Sequence, residues 1–101
     1  MTYPLVTRVA HRRLGQMLRM MLTEQIFFDL TLEEGRTLSR AFTAVAHDWR
    51  LTDSIYLSPI GANDEFSAAV TRDGIEVETA AGGHYLNWDD VSELAERLAV
   101  E

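Results

Sequence analysis

Residues 65–80 read EFSAAVTRDGIEVETA, and this stretch decides the fold. Two runs in which apolar and polar residues alternate flank the pair Asp73-Gly74. Alternation with a period of two is typical of a strand with one buried face, and Asp-Gly between two such runs is the strongest short signal for a tight hairpin. The stretch therefore predicts two antiparallel strands joined by a two-residue turn.

The turn length also fixes which residues lie opposite each other in the predicted hairpin. A two-residue turn places Val70 opposite Val77 and Ala68 opposite Thr79. One side of the sheet is then apolar, and it carries Phe66, Ala68, Val70, Ile75 and Val77. Since the other side is polar, we expect helices to pack on one face only.

The sequence after residue 50 supplies further strands and a last helix around this hairpin. A strand over residues 54–60 gives at least three antiparallel strands within 54–80, and residues 84–86 are a candidate fourth strand. Residues 87–99 repeat apolar side chains at steps of three and four, which predicts a C-terminal helix.

The first 28 residues predict a lead-in and a helix. Residues 1–7 are expected to be extended, with an edge strand over 5–10 as an alternative. Residues 8–28 are predicted to be helical because one face of a helix would collect residues at steps of three and four. Those residues are Leu14, Met17, Leu18, Met21, Gln25 and Phe28.

A second helix is predicted over residues 32–48. Thr31 followed by Glu34 forms a capping box, in which each side chain satisfies a backbone amide at the start of the helix. The whole chain, residues 1–101, is therefore expected to be a single α+β domain. It would have two N-terminal helices, a three- to four-stranded antiparallel meander, and a C-terminal helix packed on one sheet face.

Composition excludes several classes of protein. The 101 residues are 47% hydrophobic and include no cysteine, which excludes disulfides, thiol nucleophiles and thiolate metal sites. No apolar run approaches the roughly 18 residues that a membrane span requires, and a cytoplasmic location is expected. No catalytic, cofactor-binding or metal-binding motif is recognised.

Charge is distributed unevenly along the chain. Residues 1–50 hold seven arginines and five acidic residues, whereas residues 51–101 hold two arginines and eleven acidic residues. The C-terminal half therefore repels nucleic acid and favours a basic protein partner. We expect no direct contact with nucleic acid and none with a membrane.

The acidic residues predict a partner-binding surface. If the polar strand face adjoins the last helix, six carboxylates form one acidic surface: Glu76, Glu78, Asp89, Asp90, Glu93 and Glu96. The hypothesis that follows is a small acidic, non-enzymatic protein-binding module. It would act as an inhibitor or antagonist that occupies the basic, nucleic-acid-binding surface of a partner, in the manner of phage anti-CRISPR or toxin-immunity proteins.

Two alternatives come from other residues. Met20 and Phe27 are seven residues apart and would share a face of the predicted N-terminal helix, so the protein is alternatively an assembly subunit that forms homodimers through that face. The second alternative is a small enzyme or metal protein that uses His47 and His84, although their spacing matches no known ligand pattern.

The predicted order of elements over residues 32–99, helix, three strands and helix, is similar to that of double-stranded RNA-binding domains. That family grips phosphates through a lysine-rich start of its last helix. Residues 87–90 read Asn-Trp-Asp-Asp here, which is the opposite charge. The resemblance therefore covers the topology and leaves out the phosphate-binding site.

Overall fold

The computed structural model describes residues 2–61 and 64–99. The elements in order are β1 (Leu5–His11), β2 (Gly15–Met21), β3 (Phe27–Leu30), α1 (Leu32–His47), a 3₁₀ turn (Trp49–Leu51), β4 (Ser54–Leu57), β5 (Phe66–Val70), β6 (Gly74–Thr79), β7 (Gly82–Asn87) and α2 (Trp88–Ala99). The strands form two antiparallel sheets, β1-β2-β3 and β4-β5-β6-β7. The prediction of an α+β protein with antiparallel sheets is confirmed.

The prediction of two N-terminal helices is wrong. Residues 8–28 form most of the three-stranded sheet, and the helices follow β3 and β7 instead. β1 includes the edge strand that was the alternative for residues 5–10. Gly15 closes the β1–β2 turn with a φ of +80°, a conformation that favours glycine.

Burial on both faces of β2 explains why its pattern resembles a helix. Leu18 and Met20 point into the main core, while Met17 points to the other face and is also buried. Gly61 lies against the Met17 side chain, because a Cβ atom on Gly61 would lie 3.2 Å from the Met17 sulfur. A strand that is buried on both sides loses its alternation, so the spacing alone does not separate it from a helix.

The central hairpin forms, but with a different register from the predicted one. Val70 lies opposite Ile75 and Ala68 opposite Val77, a shift of two residues from the prediction. Because the shift is an even number of residues, the predicted apolar side of the hairpin still faces the core. The turn is made by Arg72 and Asp73, and Gly74 already belongs to the strand.

Side chains from β7 and α2 hold that turn. The indole Nε1 of Trp88 donates to the carbonyl of Arg72 at 2.8 Å, and the Tyr85 hydroxyl donates to the carbonyl of Asp73 at 2.6 Å. Gly74 is needed for space rather than for a positive φ, since a Cβ atom there would overlap the backbone of β7. The Asp-Gly pair therefore marks a hairpin, although the glycine lies one position after the turn.

Both helices begin at side-chain caps. Thr31 and Glu34 form the predicted capping box, with bonds of 3.0 and 2.9 Å. The Asn87 side chain accepts from the amide of Asp90 at 2.8 Å and caps α2. The second oxygen of Glu34 accepts from the Ile60 amide at 3.1 Å, which ties the loop after β4 to the start of α1.

One core joins both sheets and both helices, and Phe66 lies at its centre. The Phe66 ring centroid is 5.3 Å from that of Phe28 in the first sheet and 5.9 Å from that of Phe42 in α1. α2 contributes Val91, Leu94 and Leu98 to the same core.

The junction between β3 and α1 resembles the junction between β7 and α2, and equivalent residues lie 56 positions apart. The sequence itself has no evident repeat. Corresponding buried pairs are Leu30 and Leu86, Gly35 and Val91, Leu38 and Leu94, Ser39 and Ala95, and Phe42 and Leu98. The helices run antiparallel, because Gly35 lies beside Leu98 while the Ser39 hydroxyl donates to the Ala95 carbonyl at 2.6 Å. Each half is thus an antiparallel meander followed by a helix, and the helices meet at equivalent positions.

Candidate partner-binding face

One face of the four-stranded sheet is covered by neither helix. Both helices pack on the side that carries Ile75 and Val77, and side chains alternate along a strand, so Glu76 and Glu78 point the opposite way. We call this side the open face. By the register, it carries Ser54, Tyr56, Ser67, Ala69, Glu76, Glu78, Gly83 and Tyr85.

The two glutamates lie next to each other on the central strand β6. Their Cα atoms are roughly 6.6–6.8 Å apart along an antiparallel strand, and both residues are exposed. The Glu76 carboxylate lies over Gly83 of β7, because a Cβ atom there would overlap it. No open-face position in the described strands is an arginine, so the two negative charges are not neutralised within this face.

Two tyrosines flank the glutamates. Tyr56 on the edge strand β4 is 60% exposed, and Tyr85 on the opposite edge strand β7 is 51% exposed. Tyr85 lies directly opposite Glu76, and its hydroxyl is fixed by the bond to Asp73. Exposed tyrosines whose positions are fixed supply contact area at a low entropic cost, which is why they are enriched in protein interfaces.

The Glu65 carboxylate lies beside the Tyr56 hydroxyl. Its hydroxyl is hydrogen-bonded to the side chain of Glu65, which raises the pKa of Tyr56 above the ordinary value; desolvation and the charge of Glu65 act in the same direction. The open face therefore continues past Tyr56 to a third carboxylate, at the start of β5.

A cleft of about 630 Å³ lies beside the open face, between the two sheets. One wall is the start of β3 with the residues before it, from Gln25 to Phe28. The other wall is formed by the start of β5 and the end of β6 with the residues beside them, and it includes Asp64, Glu65 and Glu78. Glu78 is shared between the open face and the cleft.

The six carboxylates predicted as one surface lie in two separate groups. Glu76 and Glu78 are on the open face, whereas α2 packs on the opposite face and displays Asp89, Glu93 and Glu96 away from the sheet. Asp90 is half-buried in the first turn of α2. Glu93 also pairs with Arg97 at 3.0 Å, so the helix group is partly neutralised.

Met20 and Phe27, the predicted oligomer surface, do not share a face. Met20 is 0% exposed in the core, while Phe27 is 41% exposed and lines the cleft. Met20 pairs with Phe28, whereas Phe27 pairs with Met21. Since consecutive strand residues point to opposite faces of a sheet, Met20 and Phe27 lie on opposite sides. The N-terminal helix on which the homodimer alternative depends is absent.

The histidines of the enzyme alternative lie on unrelated elements. His47 is the exposed last residue of α1, and His84 is half-buried on β7, opposite Val77. Asp48 caps the 3₁₀ turn: its carboxylate accepts from the Arg50 amide and Nε, which lowers the pKa of Asp48. Among the described residues, no three His, Asp or Glu side chains are grouped as metal ligands would be.

The sequence pattern singles out Glu76, Glu78 and Phe27, but not Tyr56, Tyr85 or Glu65. Tyr56 alternates with Ile55 and Leu57, and Tyr85 lies between His84 and Leu86, so alternation alone could have placed both tyrosines on the polar side. Glu65 and Phe27 come together only because the two sheets meet at Phe28 and Phe66. No local signal reports that contact.

Within residues 2–61 and 64–99, neither helix is long and apolar enough to span a bilayer. Comparison of the chain with known protein families, with curated proteins and with solved structures found no match.

Proposed function

We propose that this protein is a small, non-enzymatic binding module whose open face contacts a basic surface of a partner protein. The observation that supports the proposal best is the chemistry of that face. Glu76 and Glu78 lie between the exposed Tyr56 and Tyr85, and no arginine occupies an open-face position in the described strands.

The arrangement suits binding better than stability. Two adjacent carboxylates repel each other, and among the described residues neither Glu76 nor Glu78 forms a salt bridge that would offset this. At an interface the same pair attracts a basic partner, raises the association rate and disfavours acidic partners. The tyrosines supply the amphipathic contact area that charged residues lack.

Proteins that bind nucleic acid contact its phosphates through basic surfaces. The C-terminal half of the chain carries eleven acidic residues and two arginines, so it is repelled by nucleic acid and attracted to proteins that bind it. We therefore propose that the protein acts as an inhibitor or antagonist that occupies such a surface, as phage anti-CRISPR and toxin-immunity proteins do.

Two double variants with the same change in charge test this proposal. Glu76→Gln with Glu78→Gln removes two negative charges from the open face, and Glu93→Gln with Glu96→Gln removes two from the helix group. Immobilised wild-type and variant proteins are used to capture partners from native host lysate at low salt. The affinity of the captured protein is then measured at about 0.05 and 0.15 M salt, because screening strengthens over that range.

We expect the open-face variant to bind the captured partner roughly five-fold or more weakly, with a smaller dependence on salt. The helix variant should bind like the wild type. Equal binding by all three proteins at both salt concentrations would contradict the proposal, and so would a loss confined to the helix variant.

A further inference from the structure

We infer that the cleft between the two sheets holds an extended, arginine-bearing peptide segment, which adds as a strand to the free edge of β3. The inference rests on the proposed function and names the part of the partner that the protein would grip. It depends on three observations: an unpaired strand edge, an acidic wall and an exposed aromatic ring.

The strand edge comes first. β3 pairs with β2 on one side only, and the described residues give Phe27–Leu30 no backbone bond to any element on the other side. Phe27 and Phe28 both line the cleft, although consecutive strand residues point to opposite faces. The cleft therefore meets the start of β3 at the strand edge, where an added strand would form main-chain hydrogen bonds.

The acidic wall decides the charge of the occupant. Asp64, Glu65 and Glu78 lie on the side of the cleft that faces β3. Among the described residues none of these three carboxylates forms a salt bridge, and Arg19, which packs on the Phe27 ring, is paired with Asp29 through two bonds of 2.8 and 3.2 Å. The carboxylates of the wall are thus left to attract a cation from outside.

The aromatic ring favours arginine. Phe27 is 41% exposed at the cleft, and the Arg19 guanidinium lies 4.2 Å from its ring centroid. Arg19 therefore packs on the Phe27 ring from within the protein. A planar guanidinium can bind a carboxylate with two bonds and pack on an aromatic ring at the same time, whereas an ammonium group is a compact, strongly hydrated charge.

The size of the cleft fits a short segment. Its volume of about 630 Å³ lies within the range of pockets that hold small ligands or a few side chains. A segment with alternating arginines and small apolar residues would direct arginines to Glu65 and Glu78 while its backbone follows β3. This alternation is the ordinary geometry of an added strand.

The probe is a hexapeptide of sequence GRVRVG, labelled with fluorescein at its N-terminus and amidated at its C-terminus, with GEVEVG as the peptide of opposite charge and GKVKVG as the lysine form. Fluorescence anisotropy measures binding to the whole protein. Hydrogen exchange of the backbone amides of Phe27 and Asp29, which by the register point away from β2, reports whether the peptide lies along β3. Glu65→Gln and Phe27→Ala alter the cleft, and Glu33→Gln on the exposed start of α1 is the matched charge control.

We expect GRVRVG to bind the wild type, GKVKVG to bind several-fold more weakly and GEVEVG not to bind. Bound GRVRVG should slow amide exchange in β3. Glu65→Gln and Phe27→Ala should each weaken binding at least about three-fold, and Glu33→Gln should not. The inference is overturned if GRVRVG does not bind, if GEVEVG binds equally well, or if exchange in β3 is unchanged.

This outcome is separable from that of the proposed function. If GRVRVG fails while capture of the partner still requires Glu76 and Glu78, only the strand-addition inference is lost. If GRVRVG binds along β3 while capture is insensitive to the open-face variant, the proposed function is lost and the cleft remains a peptide site without that role.

Discussion

Gly74 on β6 and Gly83 on β7 differ in whether the structure has room for a larger residue. A Cβ atom on Gly74 would overlap the backbone of Leu86 and Asn87, which belongs to the paired strand and cannot move independently. A Cβ atom on Gly83 would meet only the Glu76 side chain, which can rotate away. Neither glycine has a positive φ, so space alone sets the cost of a substitution.

Gly74→Ala should therefore destabilise the protein by about 1–3 kcal/mol, as overpacking against a rigid neighbour does. Gly83→Ala should change the free energy of unfolding by less than about 1 kcal/mol, in either direction. Urea denaturation of both variants measures the difference. Equal losses would show that β7 does not approach Gly74 as closely as described.

The hydroxyl of Tyr56 reports the bond to Glu65. The bond favours the neutral tyrosine, so the pKa of Tyr56 is higher in the folded than in the unfolded protein. The associated stabilisation is fully present below the ordinary pKa of tyrosine and is lost as the pH rises through the folded-state value.

Glu65→Ala should lower the pKa of Tyr56 toward the ordinary value. A titration of the tyrosine ring followed by NMR measures this, and Tyr85 in the same samples is the internal control, because its hydroxyl bonds to a backbone carbonyl instead. A Tyr56 pKa that does not change in the variant would mean that the bond to Glu65 does not form.

The two helices and the central hairpin could be predicted from the sequence because their signals are local. Each signal lies within a few residues of the feature that it marks. The capping box of Thr31 and Glu34 marks the start of α1, Asn87 marks the start of α2, and Asp73-Gly74 marks the hairpin turn. The register of the hairpin could not be predicted, because Trp88 and Tyr85 from later elements fix its turn.

The first sheet could not be predicted for a different physical reason. Residues 14–22 of β2 and its flanks contain no β-branched or aromatic residue, and methionine, leucine, glutamine and arginine are good helix formers. They form a strand because Met17 is covered from one side and Leu18 and Met20 from the other. Tertiary packing thus overrides local propensity.

Glu34 links two elements, and its removal tests that link. One oxygen caps α1 and the other holds the Ile60 amide, so Glu34→Ala loses two hydrogen bonds whereas Thr31→Ala loses one. We expect a loss of about 1 kcal/mol for Thr31→Ala and about 1–3 kcal/mol for Glu34→Ala, measured by denaturation.

Oxidation of Met17 distinguishes the two variants independently. The segment that Glu34 anchors also covers Met17, so hydrogen peroxide should oxidise Met17 faster in Glu34→Ala than in Thr31→Ala. Equal oxidation rates would indicate that the segment stays in place without Glu34.

On the scale of the whole molecule, Phe66 couples the two halves. Its ring packs against Phe28 of the first sheet and Phe42 of α1. Phe66→Ala should lower the free energy of unfolding by about 3–5 kcal/mol. Hydrogen exchange should accelerate in both sheets together; faster exchange in the four-stranded sheet alone would show that the first sheet is stable without this contact.

The charge imbalance between the two halves could be read from the sequence, but its division into two surfaces could not. The division depends on which face of the sheet α2 covers. The packing of Val91 and Leu94 in the core determines that face. In the part of the chain that the structure describes, Glu76 and Glu78 on the open face form no salt bridge, while Glu93 on the helix pairs with Arg97.

Carboxyl footprinting of the captured complex tests the proposed binding face most directly. A carbodiimide couples glycinamide to exposed carboxylates, and mass spectrometry compares each site in the free protein and in the complex. Protection of Glu76 and Glu78 with unchanged labelling of Glu93 and Glu96 is the expected result. Full labelling of Glu76 and Glu78 in the complex, with protection confined to the carboxylates of α2, would contradict it.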